Sequence, residues 1–276
     1  MFACTADLLY SNMKMSLIVL SDDGLFPSRS QRKDKTLDAS LESASRHFKI
    51  IKKGHMNSAN HPWELIYQKD GRVFAEPIPD FMTIVQEFSR QGCQRILDLG
   101  CGNGRHVLAL QKLGFNTTGL DISISGLRLT SEWVGAEGKQ AGLVEADMRR
   151  PLPFRSGSFD GLLSTQVIHH ALLAEVRTAI SEIWRVLCRG GLAFVTLAGM
   201  MDEDKKYEEI ENGTFIPLEG SEKGLPHHIF AEQELASEFS AFQIREISRR
   251  AEGKVLAAWL VKDQVQESDT LAPVPR

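Results

Sequence analysis

Along the chain, apolar residues change their spacing several times, and each change predicts an element. Leu172, Leu173, Val176, Ile180, Ile183, Trp184 and Leu187 recur at helical intervals, which predicts an amphipathic helix over 172–187. Gly190 and Gly191 are expected to stop it. Short apolar runs at 96–99, 115–120, 141–146, 159–164 and 192–197 read as buried strands. Helix-spaced residues lie between them: Phe81, Ile84, Val85 and Phe88 behind Pro79; Val107, Leu108, Leu110 and Leu113; and Ile124, Leu127 and Trp133 behind the N-cap candidate Ser123. Such alternation predicts an α/β fold, a parallel sheet covered by helices on both faces. A short helix over 232–239 follows, and two alternating runs at 242–248 and 255–261 predict a closing β-hairpin.

Outside this pattern the chain divides further. Residues 1–56 are rich in Ser, Lys, Arg and Asp and lack a core pattern, so they read as a weakly ordered extension, with Met56 as the functional start of the domain. A domain over 57–263 then carries two caps. The first, 61–92, gathers Trp63, Ile66, Tyr67, Val73 and Phe74 around the polar turn Gln68-Lys69-Asp70-Gly71. The second, 200–230, is too long for a simple connection and reads as an inserted lid, its acidic run 202–211 a solvated face. The polar, proline-bearing tail 264–276 reads as flexible.

Composition narrows the class of partner. With 276 residues and a net charge of −4, the chain has no overall electrostatic footprint for nucleic acid, leaving only a local basic patch around Arg149, Arg150 and Arg155 as an alternative. Cys4, Cys93, Cys101 and Cys188 are scattered without a C-x-x-C pair, which fits a reducing, cytoplasmic setting and suggests neither a disulfide framework nor a zinc site. No apolar run approaches a membrane span.

The chemistry centres on the stretch 96–106, a buried strand running into glycines and then a helix. Gly100 lets the backbone bend, Gly102 lets a ligand approach and Gly104 starts the helix, whose free amides can face an anion. The residue three beyond Gly102 is Arg105, so the spacing departs from the dinucleotide fingerprint, and no Walker lysine follows. Asp98, Asp121 and Asp147 each end a strand on one edge of the sheet. Asp98 either reaches a ligand through water or fixes the glycine loop. Asp121 is placed to accept ribose hydroxyls, or else caps a helix. Asp147 with Met148 is placed for a base, the carboxylate taking an exocyclic amine and the thioether packing on the ring, unless the acid is simply solvated. An adenosine without a diphosphate is implied.

From His61 to Lys262 the chain resembles the class I S-adenosylmethionine-dependent methyltransferases, particularly those acting on small molecules. The carrying motifs are Leu97-Asp98-Leu99-Gly100-Cys101-Gly102-Asn103-Gly104-Arg105-His106, Gly119-Leu120-Asp121-Ile122-Ser123, Glu145-Ala146-Asp147-Met148, Phe159-Asp160, Gln166-Val167-Ile168-His169-His170 and Arg185-Val186-Leu187-Cys188-Arg189-Gly190-Gly191. The resemblance implies a Rossmann-like three-layer sandwich, its seven-stranded, mostly parallel sheet ending in an antiparallel strand. It also implies S-adenosyl-L-methionine as cofactor: methionine at Gly100, Cys101, Gly102 and Gly104, ribose at Asp121 beside Ile122, adenine at Asp147 and Met148, and Gln166 beside the transferred methyl group. Cys188-Arg189 departs from the usual lysine-proline pair, a change expected to affect only a remote turn.

The remaining candidates have both functional and bland readings. Trp63, Tyr67 and Phe74 are either core or a cap in which Tyr67 closes over the sulfonium and Arg72 pairs with the methionine carboxylate. His169-His170 and His227-His228 are structural hydrogen-bonders or substrate-orienting groups; His170 is the first candidate for a base and His228 the second. Adjacent histidine pairs lack i, i+4 geometry, so no metal site is expected. The implied reaction is methyl transfer to a small-molecule O, N, S or metalloid nucleophile, driven mainly by alignment worth at most about 7–11 kcal/mol. Neither nucleic acid nor membrane is expected as a partner. A non-catalytic cofactor-binding module and a nicotinamide-dependent oxidoreductase are the rival readings.

Overall fold

The computed structural model describes residues 50–52 and 60–263. Expectations for residues 1–49, for Met56 and for the tail from 264 lie outside the described residues.

The strands are β1 (Ile50–Lys52), β2 (Arg95–Leu99), β3 (Asn116–Asp121), β4 (Gly142–Glu145), β5 (Phe159–Thr165), β6 (Leu187–Ala198), β7 (Tyr207–Glu211), β8 (Thr214–Pro217), β9 (His227–His228), β10 (Gln243–Arg250) and β11 (Val255–Val261). The main sheet runs β1-β4-β3-β2-β5-β6-β11-β10. β11 is antiparallel to both β6 and β10, whereas the pairings from β1 to β6 are parallel. From β4 to β10 this is the Rossmann-like sheet of seven strands anticipated above. β1 extends it by one strand, pairing Ile50 with Leu143 and Ile51 with Val144.

Alternation explains how the sheet buries both faces. In β2, Ile96 joins one apolar cluster while Leu97 and Leu99 join the other. In β11, Ala257, Trp259 and Val261 face the first cluster, and Leu256, Ala258 and Leu260 the second. The first cluster packs against α2 (Phe81–Arg90) through Phe81, Ile84 and Phe88, and the second against α5 (Leu173–Val186) through Val176, Ile180 and Ile183. Completing the layers are α1 (Pro62–Asp70), α3 (Arg105–Lys112), α4 (Ile124–Ala136) and α6 (Glu232–Glu238). Among the described residues, no helix is long and apolar enough to cross a membrane.

The structure departs from the expected pattern at two turns. α1 continues through Gln68, Lys69 and Asp70, where a turn was expected, and ends at Gly71, whose φ of 66° and amide bond to the Tyr67 carbonyl close the helix. α5 ends before the glycine pair, because Leu187 is already extended at φ −69°, ψ 140° and opens β6. Gly190 and Gly191 instead lie in an irregularity of the β5–β6 ladder, between the pairs Phe159–Leu187 and Gly161–Leu192. The 200–230 segment forms its own antiparallel sheet of β7, β8 and β9.

Candidate active site

The glycine loop between β2 and α3 is held in a shape that only glycine permits. Gly100, Gly102 and Gly104 have φ values of 78°, 55° and 86°. A Cβ on Gly100 would lie 2.3 Å from Val167, one on Gly102 2.2 Å from the Tyr67 hydroxyl, and one on Gly104 2.5 Å from Thr130. The close approach at Gly102 is therefore made by Tyr67 itself. Loop and first cap are tied elsewhere too: the Asn103 side chain bonds both the amide and the carbonyl of Phe74, and His106 accepts from the Ile78 amide at 3.2 Å.

Glu64, which carried no signal in the sequence, clamps α1 onto the start of α4. Its carboxylate accepts from the Ser123 hydroxyl at 2.5 Å, the Ser125 amide at 3.0 Å and hydroxyl at 2.7 Å, and Gln68 at 2.8 Å. Burial pushes this acid up, but those donors overcome it and hold it below the ordinary range. Ser123 meanwhile caps α4 by accepting from the Gly126 amide at 2.9 Å.

A cavity of about 400 Å³ opens at the carboxyl edge of the sheet, lined by Tyr67, Gly100, Cys101, Gly102, Asp121, Ile122, Asp147, Met148, Gln166 and His170 among others. Parallel sheets bind ligands at this edge. Most of the expected site is thus brought together.

The three acids differ in their surroundings. Asp121 accepts from the Gly102 amide and the Ser123 amide, each at 2.8 Å, which leaves its carboxylate oxygens further lone pairs toward the cavity. Burial raises it to about 6 against those bonds. Asp147 accepts from the Arg149 amide and Nε at 2.9 Å and from its guanidinium end at 2.8 Å; burial pushes this acid up, and the guanidinium more than offsets that. Asp98, in β2, lies outside the cavity lining, with Oδ2 buried and lacking a hydrogen-bond partner. Burial raises Asp98 to about 7, opposed by Arg105. Gln166 carries strain of about 1–3 kcal/mol at φ 57°, pinned by its amide to the Thr196 hydroxyl at 2.9 Å.

Gly104 also lies outside the cavity lining, against Thr130, and two further candidates are placed elsewhere. Arg72 is exposed and stacks 4.3 Å from the centre of the Trp133 ring on α4, because α1 ends at Gly71 and turns it outward; the cation of this region that lines the cavity is Arg105. His228 is buried behind the cavity, with Nδ1 2.7 Å from the Thr214 hydroxyl and Nε2 2.9 Å from Glu234, so it joins the small sheet to α6 and does not face a substrate.

The expectation of no metal site rests on the sequence spacing of the adjacent histidine pairs; in the fold, long-range pairing brings three of these four histidines together. The His228 amide donates to the His169 carbonyl at 2.8 Å, which lays β9 beside the turn after β5. His169, His170 and His227 then lie together, with ring centres 4.1 Å (169–170), 4.6 Å (170–227) and 5.8 Å (169–227) apart, and Glu222 faces the last two. Burial lowers His169 to about 3 and pushes His170 far below its ordinary value, so both are neutral near pH 7.

Comparison with known proteins agrees with this geometry. Residues 97–195 match the family described as "Methyltransferase domain". A tRNA (carboxymethyluridine(34)-5-O)-methyltransferase of Xenopus tropicalis is 29% identical over 155 residues, 55% of this chain and 20% of that protein. A ubiquinone biosynthesis O-methyltransferase from a Caulobacter strain is 29% identical over 101 residues, 37% of this chain and 39% of that protein. Less than half the length of either relative is therefore spanned. The crystal structure of Burkholderia thailandensis 1,6-didemethyltoxoflavin-N1-methyltransferase, with S-adenosylhomocysteine bound, overlays with a TM-score of 0.56 at 16% identity, covering 86% of this chain and 94% of that one. Residues 97–195 are therefore similar to a methyltransferase domain, and the cofactor that this resemblance implies is S-adenosylmethionine.

The residues present fit this cofactor. Glycines that exclude any Cβ keep the loop backbone at the cavity wall, Asp121 has acceptor capacity to spare, and Leu120, Ile122, Ala146 and Met148 supply apolar wall for a ring.

Proposed function

We propose that the protein transfers the methyl group of S-adenosylmethionine to a small-molecule nucleophile. When bound, the cofactor supplies a methyl carbon made electrophilic by its sulfonium. Asp121 accepts the ribose hydroxyls, Asp147 and Met148 receive adenine, and the loop from Gly100 to Gly104, with Arg105 near it, holds the methionine end. Tyr67 and Trp63 close the site from the first cap and exclude water, and Gln166 positions the acceptor.

The observation that carries this reading is the composition of the cavity. It joins the cofactor residues to His170 and Glu222 beneath the small sheet, in about 400 Å³, toward the low end of the roughly 300–1,000 Å³ of small-ligand sites. Its charged lining is balanced: Asp121, Asp147, Asp202 and Glu222 against Arg105, Arg149, Lys205 and Lys254. That balance, with a net charge of −4, suits a compact acceptor better than a polyanion. His170 is neutral but a weak base, so it accepts a proton from an acceptor that is already acidic, such as a thiol, a phenol or an activated hydroxyl. Among the described residues, the free cysteines Cys93, Cys101 and Cys188 fit the cytoplasmic setting inferred here.

Incubating the full chain with methyl-labelled cofactor and separate metabolite and RNA fractions tests the proposal. Label in a compound of the metabolite fraction is expected. Label in RNA alone would replace the acceptor class, as the tRNA-modifying relative illustrates, and no label in either fraction would favour a binding module.

A further inference from the structure

Beside the cofactor residues, the second half of the cavity holds a group of side chains whose polarity is unexplained by hydrogen bonding alone. One coordinating atom each from His169, His170 and His227 lies within 4.8 Å of the others. His169 is 2% exposed, yet its Nδ1 has no hydrogen-bond partner. Buried polar atoms are nearly always paired, and an exception marks a missing partner.

His227 supplies the second observation. Its Nδ1 is 2.9 Å from the Leu225 carbonyl, an acceptor, so the proton sits on Nδ1 and Nε2 presents a lone pair. That Nε2 faces Glu222 Oε2 at 3.5 Å, and His170 Nε2 lies 3.9 Å from Glu222 Oε1. The His227 lone pair pointing at a carboxylate needs a cation between them. A second proton on His227 would satisfy the His227–Glu222 pair and leave His169 orphaned. A metal ion would take the His227 lone pair and the Glu222 carboxylate together, with a ring nitrogen of His169 and one of His170 within reach.

We propose that His169, His170 and His227, with Glu222, form a binding site for a divalent transition-metal ion of the zinc class in the wall of the cavity. Neutral imidazoles with one carboxylate suit that class over calcium or magnesium, which favour oxygen donors. Tetrahedral zinc at bond lengths of about 2.0–2.1 Å holds its ligand atoms roughly 3.4 Å apart, so the 4.8 Å group closes by small side-chain rotations. The Leu225 carbonyl on His227 Nδ1 is the outer partner that fixes the tautomer and aims the ligand nitrogen. On the methyl-transfer reading, an ion here would lower the pKa of a coordinated hydroxyl or thiol acceptor, whose proton would leave to water, with His170 serving as a ligand in place of a base. Metal binding itself does not depend on that reading.

The test is binding without cofactor. The full chain, stripped with chelator and exchanged into buffer, is titrated with Zn²⁺ by calorimetry and with Co²⁺ by visible absorption. Expected are one equivalent bound per chain and the visible bands of low-coordinate cobalt, with affinity falling about 100-fold or more in His227→Ala and in Glu222→Ala/His170→Ala. His227 is only partly buried, so its variant keeps the test informative should His169→Ala unfold. Absence of saturable binding to the wild-type chain, or binding unchanged in these variants, overturns the proposal. Failure of methyl transfer with metal binding intact would instead count against the proposed function alone.

Discussion

Gly102→Ala perturbs the contact between the cofactor loop and the first cap. The backbone at Gly102 has φ +55°, so alanine there costs about 1–2 kcal/mol from the left-handed conformation. Its Cβ would lie 2.2 Å from the Tyr67 hydroxyl, and ordinary contact begins at 3.4 Å, so the phenol must retreat by about 1 Å. Tyr67 is buried with its ring centre 5.8 Å from that of Trp63, which makes the retreat an overpacking problem worth about 1–3 kcal/mol. The sum, roughly 2–5 kcal/mol, lowers Tm by something on the order of 10 °C in a domain of this size. Tyr67→Phe in the same background deletes the clashing oxygen and leaves the ring carbon at 3.1 Å, so it should recover most of the packing part and none of the backbone part. Thermal unfolding followed by circular dichroism of the two single variants, the double variant and the wild type measures this directly. A Gly102→Ala chain as stable as wild type, or a double variant showing no recovery, refutes the reasoning.

Asp98→Asn tests the buried acid in β2. Because the folded-state value of Asp98 is raised to about 7, the folded chain binds more protons than the unfolded one between the ordinary carboxylate range and pH 7. Stability contributed by this group is full below pH 4 and lost as pH rises through 7, with a ceiling of roughly 4 kcal/mol. The Asn variant should show a flatter decline in urea unfolding between pH 4.5 and 8; a slope equal to wild type contradicts this. Arg72→Ala should leave S-adenosylhomocysteine affinity unchanged in calorimetry, while Arg105→Ala weakens it several-fold, and the reverse order would return Arg72 to the site. His228→Ala strips partners from the Thr214 hydroxyl and Glu234, so it should cost about 1–3 kcal/mol in denaturant unfolding; a change below about 0.5 kcal/mol would show that this link is not structural.

The sheet was legible because its information is local. Apolar runs with both alternating sets buried, a capped α4 and the glycine spacing after β2 each encode one element, and their order leaves few topologies. The placement of Asp121, Asp147, Met148 and Gln166 at the cavity was legible for the same reason: each ends or follows a strand whose end lies on that edge. Arg72 and His228 were misplaced because their direction depends on where α1 ends and on which side β9 presents, neither of which is a periodic signal. Glu64 and the clustering of His169, His170 and His227 were illegible because they join segments 59 to 61 residues apart in one case and 57 to 58 in the other, through contacts that no local pattern records.

Calorimetric titration of S-adenosylhomocysteine into the wild-type chain and into Asp121→Ala tests the central claim most directly. Asp121 lines the cavity with acceptor capacity left over after its bonds to Gly102 and Ser123. Two charge-assisted bonds to ribose hydroxyls, at about 1.5–3 kcal/mol each, predict one site per wild-type chain and a loss of affinity of about 100-fold or more in the variant. Absence of binding to the wild-type chain, or equal affinity in the two, would contradict the account.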